Sequence, residues 1–218
     1  MCGRFAQFTN INIIKAKYNI DEIGMEFEAS YNIPPGSSIP VIYEANKKKR
    51  MLIKMLWGLE PSWESKKKYN LINVRAETLI NKDTFEQNFK NKRCLIVADG
   101  FYEWDDQNKI PYYISYKNKN PMVFAGIWSE NEKESENISK SCSIITTRSN
   151  KKIGNIHGRM PVIVPEKYVD YWLDIDIYDR NKLKKLFYPI NSDLIRYDRV
   201  SRLINNPEND NSECIEPV

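Results

Sequence analysis

The residue with the most distinctive chemistry is Cys2, which directly follows Met1. Removal of Met1 would leave a cysteine whose free α-amine and thiol sit on adjacent carbons. Such a pair can condense with an aldehyde through nitrogen and then close a five-membered thiazolidine ring through sulfur. Ring closure is favoured because both nucleophiles belong to one residue. Taken alone, Cys2 is better explained as part of a frayed terminus, so its significance depends on companion residues.

An amide and a carboxylate are the first candidate companions. Asn73, Arg75 and Glu77 alternate with small or apolar residues, so we expect them to share one face of an extended stretch. Glu103 lies among aromatic residues, between Tyr102 and Trp104. Such surroundings desolvate a carboxylate and raise its pKa towards use as a general acid. The alternative is a glutamate on the surface of an edge strand.

The remaining candidates are an imidazole and two indoles. His157 is the only histidine of the chain and precedes Gly158 and Arg159. Its pKa suits proton transfer, although a lone histidine is more often structural. Trp57 and Trp63 flank a turn with glycine and proline. They fit a core better than a ligand platform, but exposed indoles at a turn could stack on nucleic-acid bases.

Composition restricts the class of protein. The 218 residues are 41% hydrophobic with a formal net charge of +4, which predicts one core and one domain over 1–218 and does not require a polyanionic partner. The cysteines lack metal-site spacing, so we expect no metal and no cofactor; they are Cys2, Cys94, Cys142 and Cys214. No apolar run has the length of a membrane span, and we expect a cytoplasmic monomer.

Hydrophobic periodicity predicts several short strands and a few helices, which together indicate an α+β fold. Predicted helices cover Thr9–Tyr18 with Thr9 as the cap, Asp83–Lys90, Glu166–Leu173 and Asp179–Phe187. Predicted strands cover Pro40–Ala45, Met51–Trp57, Arg93–Ala98, Phe101–Trp104, Pro111–Tyr116, Met122–Trp128, Cys142–Thr147 and Met160–Val164. Residues 31–36 are expected to be extended, and Glu130–Lys140 to form a mobile surface loop. The tail from Asn205 is expected to gain order only by docking on the body.

Eight short motifs occur in an order that resembles the SOS-response-associated peptidase (SRAP) family. They are residues 1–5 (MCGRF), 31–35 (YNIPP), 57–63 (WGLEPSW), 73–78 (NVRAET), 93–104 (RCLIVADGFYEW), 124–128 (FAGIW), 156–161 (IHGRMP) and 200–206. Each motif alone is weak, but all eight in order are specific. The resemblance runs from residue 1 to residue 218. Two residues depart from the family pattern. Gly158 stands where a larger residue is usual, and we expect it to loosen the turn that orients His157. Val97 lies at a position where members vary.

The resemblance implies a single α+β domain with a curved, partly barrel-like mixed sheet and peripheral helices. It also implies a covalent shield for abasic sites in single-stranded DNA, associated with the nucleoid when it is bound to damaged DNA. In the family the N-terminal cysteine, here Cys2, forms a thiazolidine with the opened deoxyribose. By the same resemblance Asn73 holds the N-terminus in position and Glu103 acts as general acid and base. His157 would handle the thiol proton or stabilise the hydroxyl of the opened sugar. Arg4, Arg75 and Arg159 would bind backbone phosphates, and Trp57 or Trp63 would stack on a base.

Two other functions fit parts of the sequence. Cys2, His157 and Asn73 could form a thiol peptidase, including one that removes Met1, although a nucleophile at the second residue leaves little chain to build a substrate cleft. A non-catalytic nucleic-acid binder would use the arginines and tryptophans and leave the amine of Cys2 idle. Abasic-site lyase activity and reversal of the cross-link are further expectations attached to the first function.

Overall fold

The computed structural model describes residues 2–45, 48–60, 71–81, 83–132 and 138–218. Thirteen strands are present in these ranges: β1 (Phe5–Gln7), β2 (Glu22–Ile23), β3 (Ser30–Ile33), β4 (Ser38–Ala45), β5 (Lys49–Trp57), β6 (Asn73–Arg75), β7 (Arg93–Ala98), β8 (Gly100–Trp104), β9 (Pro111–Tyr116), β10 (Met122–Glu132), β11 (Ile138–Arg148), β12 (Arg159–Pro161) and β13 (Ile195–Arg199). Five short α-helices accompany them: α1 (Ile11–Lys17), α2 (Ala76–Asn81), α3 (Glu86–Asn91), α4 (Val169–Leu173) and α5 (Arg180–Lys185). The predicted α+β fold is confirmed.

The larger sheet curves into a ring. Its strands follow the order β12-β11-β10-β7-β4-β5-β2, and β5 also pairs with β11 in parallel, at Leu56 with Ser141 and Trp57 with Cys142. This extra pairing joins β4, β5, β7, β10 and β11 in a closed circuit, which satisfies sheet edges that would otherwise be open. The partly barrel-like sheet implied by the family resemblance is therefore present.

The parallel pairing of β5 with β11 ends at Gly58. Gly58 has a φ of 142°, a backbone conformation that residues with a side chain rarely adopt, and its N–H donates to the carbonyl of Cys142 at 2.9 Å. The chain can therefore leave the ring directly after Trp57, whose side chain stays inside.

Alternation along the ring strands separates two cores, because neighbouring side chains point to opposite faces. One cluster of buried side chains, which includes Val41, Met55, Ile96, Phe124 and Ile144, belongs with Cys2 and Phe5. The other cluster combines alternate strand residues with the helices and includes Leu52, Leu95, Ile127, Phe89 and Trp172. The first cluster is the one that extends to the N-terminal cysteine.

A second, five-stranded antiparallel sheet carries the N-terminal strand, in the order β13-β9-β8-β1-β3. Phe5 at the start of β1 packs edge-on against Trp57, with ring centroids 5.1 Å apart, and against Phe124 at 6.1 Å. Phe5 thereby anchors the N-terminal strand on the ring and fixes where the preceding residues lie.

Several predicted boundaries are wrong for identifiable reasons. Helix α1 is capped by the side chain of Asn10, which accepts from the N–H of Asn12, rather than by Thr9. Thr9 instead donates its hydroxyl and its N–H to Asp99. Strands β10 and β11 continue through Glu132 and from Ile138, so the predicted loop over Glu130–Lys140 is too long; its centre lies outside the described residues.

The extended stretch predicted from Asn73 to Glu77 is only partly correct. Strand β6 ends at Arg75 and helix α2 begins at Ala76, so Glu77 lies in the first turn of a helix. The change from a period of two to a period of 3.6 removes Glu77 from the face that Asn73 occupies. None of the helices among the described residues is long and apolar enough to cross a membrane.

Candidate active site

Pairing of β1 with β8 brings the N-terminus to Glu103. Phe5 pairs with Phe101, and the N–H of Tyr102 donates to the carbonyl of Arg4 at 2.9 Å. Since the two strands are antiparallel, the residues before Arg4 run alongside those after Tyr102. Cys2 is fully buried at this point, so the interpretation of Cys2 as a frayed terminus is wrong.

The side chain of Asn73 forms a hydrogen bond with the backbone of Cys2. Strand β6 is only three residues long and runs parallel to β11, with Asn73 opposite Ile144. The amide Nδ2 of Asn73 donates to the carbonyl oxygen of Cys2 at 2.8 Å. Its Oδ1 is buried and has no hydrogen-bond partner within the described part of the chain. Asn73 therefore has an acceptor available beside the main chain of the nucleophile.

Glu103 is a buried carboxyl group, with 3% of its surface exposed. Burial raises the pKa of Glu103 above its ordinary value, and the nearby His157 partly opposes the rise. A raised pKa keeps a larger share of the carboxyl group protonated near neutral pH, which is the state a general acid needs. The structure thus favours the acid over the alternative of a surface glutamate.

His157 is aimed by the loop between a 3₁₀-helix (Ile153–Asn155) and β12. The backbone N–H of His157 donates to the carbonyl of Ile153 at 2.9 Å. The backbone N–H of Arg159 donates to Nδ1 of the imidazole at 3.1 Å. Nδ1 lies 3.8 Å from Oε1 of Glu103, which is beyond direct hydrogen-bonding distance. The imidazole and the carboxyl group therefore share one site, at a distance that allows an ion pair when the imidazole is protonated.

The backbone around Gly158 stabilises this orientation. The carbonyl of Gly158 accepts from the N–H of Ser149 at 3.1 Å. A Cβ at Gly158 would meet no atom within 4 Å among the described residues, so the space next to this backbone does not require glycine.

The thiol of Cys2 is protonated in this environment. Burial raises its pKa, and the charge that Glu103 carries when ionised adds to the rise. The thiol also donates weakly to the carbonyl of Arg4, with a separation of 3.9 Å. A buried, protonated thiol becomes a nucleophile when a neighbouring base removes its proton. Cys2, Asn73, Glu103 and His157 are thus brought together from four separate parts of the sequence.

The family of this chain follows from comparison with known proteins. The family model described as SOS response associated peptidase (SRAP) matches residues 1–207. The chain belongs to the SRAP family.

Relatives of this SRAP chain carry a consistent name. It is 39% identical over 223 residues to abasic site processing protein YoqW of Bacillus subtilis (strain 168), with 99% of each chain covered. It is 34% identical to abasic site processing protein HMCES of Xenopus tropicalis, over 88% of this chain and 67% of that protein.

Solved structures share the fold. A crystal structure of a Bacteroides thetaiotaomicron protein superposes with a TM-score of 0.88 at 21% identity and covers 100% of both chains. Another, from Bordetella bronchiseptica, has a TM-score of 0.77 at 20% identity and covers 92% of this chain and 100% of its own.

The three arginines expected to bind phosphate differ in their surroundings. Arg75 is exposed at the end of β6. Arg4 is half-buried, and its Nη1 donates to Oδ1 of Asn32 at 2.6 Å. Arg159 of this SRAP chain forms a bidentate ion pair with Glu77, Nη1 to Oε1 at 3.1 Å and Nη2 to Oε2 at 3.0 Å. A phosphate would have to displace Glu77 to bind that edge of Arg159.

The prediction that Trp57 stacks on a base is wrong. Its side chain is fully buried, and its Nε1 donates to the carbonyl of Ile72 at 2.9 Å. The core alternative, which the sequence left open, is the correct one for Trp57. Trp63 lies outside the described residues.

Sequence reasoning assigned no individual role to three polar residues around the site, which are Asn32, Thr146 and Glu77. Asn32 and Thr146 are almost fully buried, and Thr146 accepts from Arg159 through its carbonyl at 2.6 Å and its hydroxyl at 3.3 Å. Glu77 was noticed only as part of an alternating pattern. A usable signal was the polar side chain within an apolar run, because a buried polar group requires partners. Within the described ranges no cluster of three metal-ligating side chains was found.

Proposed function

We propose that this SRAP chain captures abasic sites in single-stranded DNA by forming a thiazolidine between Cys2 and the opened deoxyribose. The supporting observation is the fully buried Cys2, whose carbonyl is held by Asn73 beside a carboxyl group of raised pKa. The names of the relatives, abasic site processing proteins, agree with this substrate. The chemistry requires prior removal of Met1, because a peptide bond to Met1 makes the amine of Cys2 unreactive.

The first steps generate and trap the aldehyde. Glu103 in its protonated form assists opening of the cyclic sugar, which exposes the aldehyde at C1′. The neutral α-amine of Cys2 adds to C1′, and the hydroxyl group departs as water with a proton from Glu103, which leaves an iminium ion and ionised Glu103. Asn73 holds the backbone of Cys2 so that the amine approaches from a fixed direction.

Ring closure then completes a balanced reaction. The sulfur of Cys2 adds to the iminium carbon, and the thiol proton passes to a neighbouring base, for which His157 and ionised Glu103 are the candidates. Amine, aldehyde and thiol thereby become one thiazolidine and one water. Closure removes the iminium, which would otherwise acidify the C2′ protons and lead to strand cleavage by β-elimination.

Binding energy would come from the DNA backbone. Exposed Arg75 and half-buried Arg4 are the cations we assign to phosphates, and Arg159 joins them when its pairing with Glu77 is exchanged. We propose that the protein acts as a monomer, and that reversal of the cross-link returns the free chain. Affinity should fall with added salt, while the covalent yield at saturation should not.

The second candidate is the thiol peptidase of the family description. A cysteine peptidase relies on a thiolate of low pKa. Burial raises the pKa of the Cys2 thiol, which opposes that role. Cleavage of a peptide by the purified protein, lost in Cys2→Ala, would favour the peptidase. Self-removal of Met1 is tested separately, by mass spectrometry of the natural chain and of Cys2→Ala; Met1 should be retained in Cys2→Ala if Cys2 removes it.

The decisive experiment uses protein whose loss of Met1 has been verified by mass spectrometry. It is mixed with a single-stranded oligonucleotide carrying one abasic site and is separated under denaturing conditions. We expect a stable shifted band that maps to residue 2 and is absent in Cys2→Ala. Cys94→Ala removes an equally buried thiol from the ring core and should retain the band. A band that persists in Cys2→Ala, or maps elsewhere, would overturn the proposal.

A further inference from the structure

The chain after β13 forms a C-terminal strap, residues 201–218, that is fastened to Asn32 in β3. Nδ2 of Asn32 donates to the carbonyls of Ile204 at 3.2 Å, Asn206 at 3.0 Å and Asn209 at 2.8 Å. Asn32 is only 1% exposed. One buried amide therefore binds three carbonyls of the strap.

A second fastening comes from the strap itself. The carboxylate of Asp210 accepts from the hydroxyl of Ser30 at 2.8 Å, from the N–H of Tyr31, and from the N–H of Asn32 at 3.0 Å. Bonds from a carboxylate to main-chain N–H groups are charge-assisted and stronger than neutral ones. The strap and β3 thus hold each other in register around Asn32.

The same amide also holds Arg4. Nη1 of Arg4 donates to Oδ1 of Asn32 at 2.6 Å and to the carbonyl of Ile204 at 3.0 Å. The strap offers only acceptors to Asn32 and the guanidinium offers only donors, so one orientation of the amide satisfies both sides. Asparagine therefore links the strap to Arg4 in a way that neither aspartate nor leucine could.

This anchoring leaves Nη2 of Arg4 without a hydrogen bond among the described residues. The hydrogen bonds of Arg4 among the described residues come from Nη1, and its Nε is buried without a partner there. Because Nε is closed to solvent, a phosphate would reach the guanidinium through Nη2. Arg4 lies two residues from Cys2, and its carbonyl accepts from the thiol at 3.9 Å.

We propose that Asn32 and the C-terminal strap are the positioning device for Arg4, and that they present its Nη2 to the phosphate next to the abasic site. This inference rests on the proposed function. Asn32 acts through Arg4 and does not touch DNA. Loss of Asn32 would release the guanidinium, which would then bind phosphate no better than a mobile surface charge.

The test measures the salt dependence of affinity for single-stranded DNA in a Cys2→Ala background, where no covalent bond forms. Arg4→Ala should reduce the slope of log K against log salt by about 0.7, the value for one phosphate on a single strand. Asn32→Leu should produce the same reduction, and adding it to Arg4→Ala should change the slope no further. Asn191→Ala is the control, because it removes a cap that accepts from the N–H of Asp193 and lies outside the strap.

Asp210→Ala provides a second variant in case Asn32→Leu fails to fold, and it should reduce the slope in the same direction. A purely structural role predicts lower thermal stability with an unchanged slope, which would overturn the inference. An unchanged slope in Arg4→Ala would also overturn it, since Arg4 would then bind no phosphate. Failure of the proposed function is separate: it is the absence of a cross-link in the natural chain with its strap and Asn32 intact.

Discussion

Nδ2 of Asn73 and the carbonyl oxygen of Cys2 are 2.8 Å apart, so the backbone of the nucleophile is held by a side chain from a different sheet. A residue next to a terminus otherwise frays. This single hydrogen bond, with the burial of Cys2, gives the N-terminus a defined place beside Glu103.

Replacement of Asn73 tests this contact. A hydrogen bond of this kind contributes about 0.5–1.5 kcal/mol. We therefore expect Asn73→Ala to slow cross-linking up to about ten-fold, measured as a single-turnover rate on abasic single-stranded DNA. Asn91→Ala, which removes an exposed amide from α3, is the control and should leave the rate unchanged. An equal rate in both variants would contradict a positioning role for Asn73.

Glu103→Gln should stabilise the protein at neutral pH while slowing its chemistry. Burial raises the pKa of Glu103 in the folded chain, so folding favours the protonated form. The natural chain therefore loses stability as pH rises from the unfolded pKa through the folded pKa, by about 1.36 kcal/mol per unit of difference. Glu103→Gln lacks this loss.

Urea unfolding between pH 4 and pH 8 measures the difference. The two curves of stability should converge near pH 4 and separate as pH rises, with Glu103→Gln the more stable. Glu213→Gln, an exposed glutamate of the strap, should follow the natural chain throughout. Parallel curves for Glu103→Gln and the natural chain would mean that the pKa of Glu103 is not raised by folding.

Glu77→Gln should strengthen binding of single-stranded DNA. The carboxylate of Glu77 occupies two nitrogens of Arg159 and would repel a nearby phosphate. Its side chain is 49% exposed, so the ion pair contributes only about 0.2–1 kcal/mol to stability. We expect an affinity gain of a few-fold at low salt that disappears at high salt, measured by fluorescence anisotropy.

A matched variant separates release of Arg159 from general loss of negative charge. Glu166→Gln also removes a carboxylate that is paired with a cation, but the cation is Lys17 and not Arg159. Its affinity should stay close to that of the natural chain. Weaker binding in Glu77→Gln would instead indicate that Glu77 holds Arg159 in its binding position.

Trp57 should affect stability and not base stacking. Trp57→Ala removes a fully buried indole from the ring core, and such changes destabilise by about 3–5 kcal/mol. Trp57→Phe keeps most of the volume but loses the hydrogen bond to Ile72, so its cost should be smaller. Urea unfolding gives both values, and the DNA affinity of folded Trp57→Phe should be unchanged. A loss of affinity at unchanged stability would restore the stacking role.

Local patterns were sufficient where the signal is local. Strands such as Arg93–Ala98 and Pro111–Tyr116 were predicted with their final bounds, because continuous apolar or aromatic runs between turn residues favour strands in most contexts. The cap of α1 was assigned to the wrong residue, since Thr9 and Asn10 are both good caps and only the distant Asp99 decides which is free. Competition of that kind depends on tertiary contacts.

By itself, the sequence determined the α+β class, the family resemblance, and the residue types able to carry the chemistry, since each follows from composition, periodicity or ordered motifs. Only the tertiary structure decided that β5 meets β11 to close the ring, that Trp57 lies inside it, and that Glu77 pairs with Arg159. The hydrogen bonds of Asn32 with both Arg4 and the strap are likewise visible only in the tertiary structure. Those relationships join residues far apart in the chain, and their energies come from burial and pairing that no local pattern encodes.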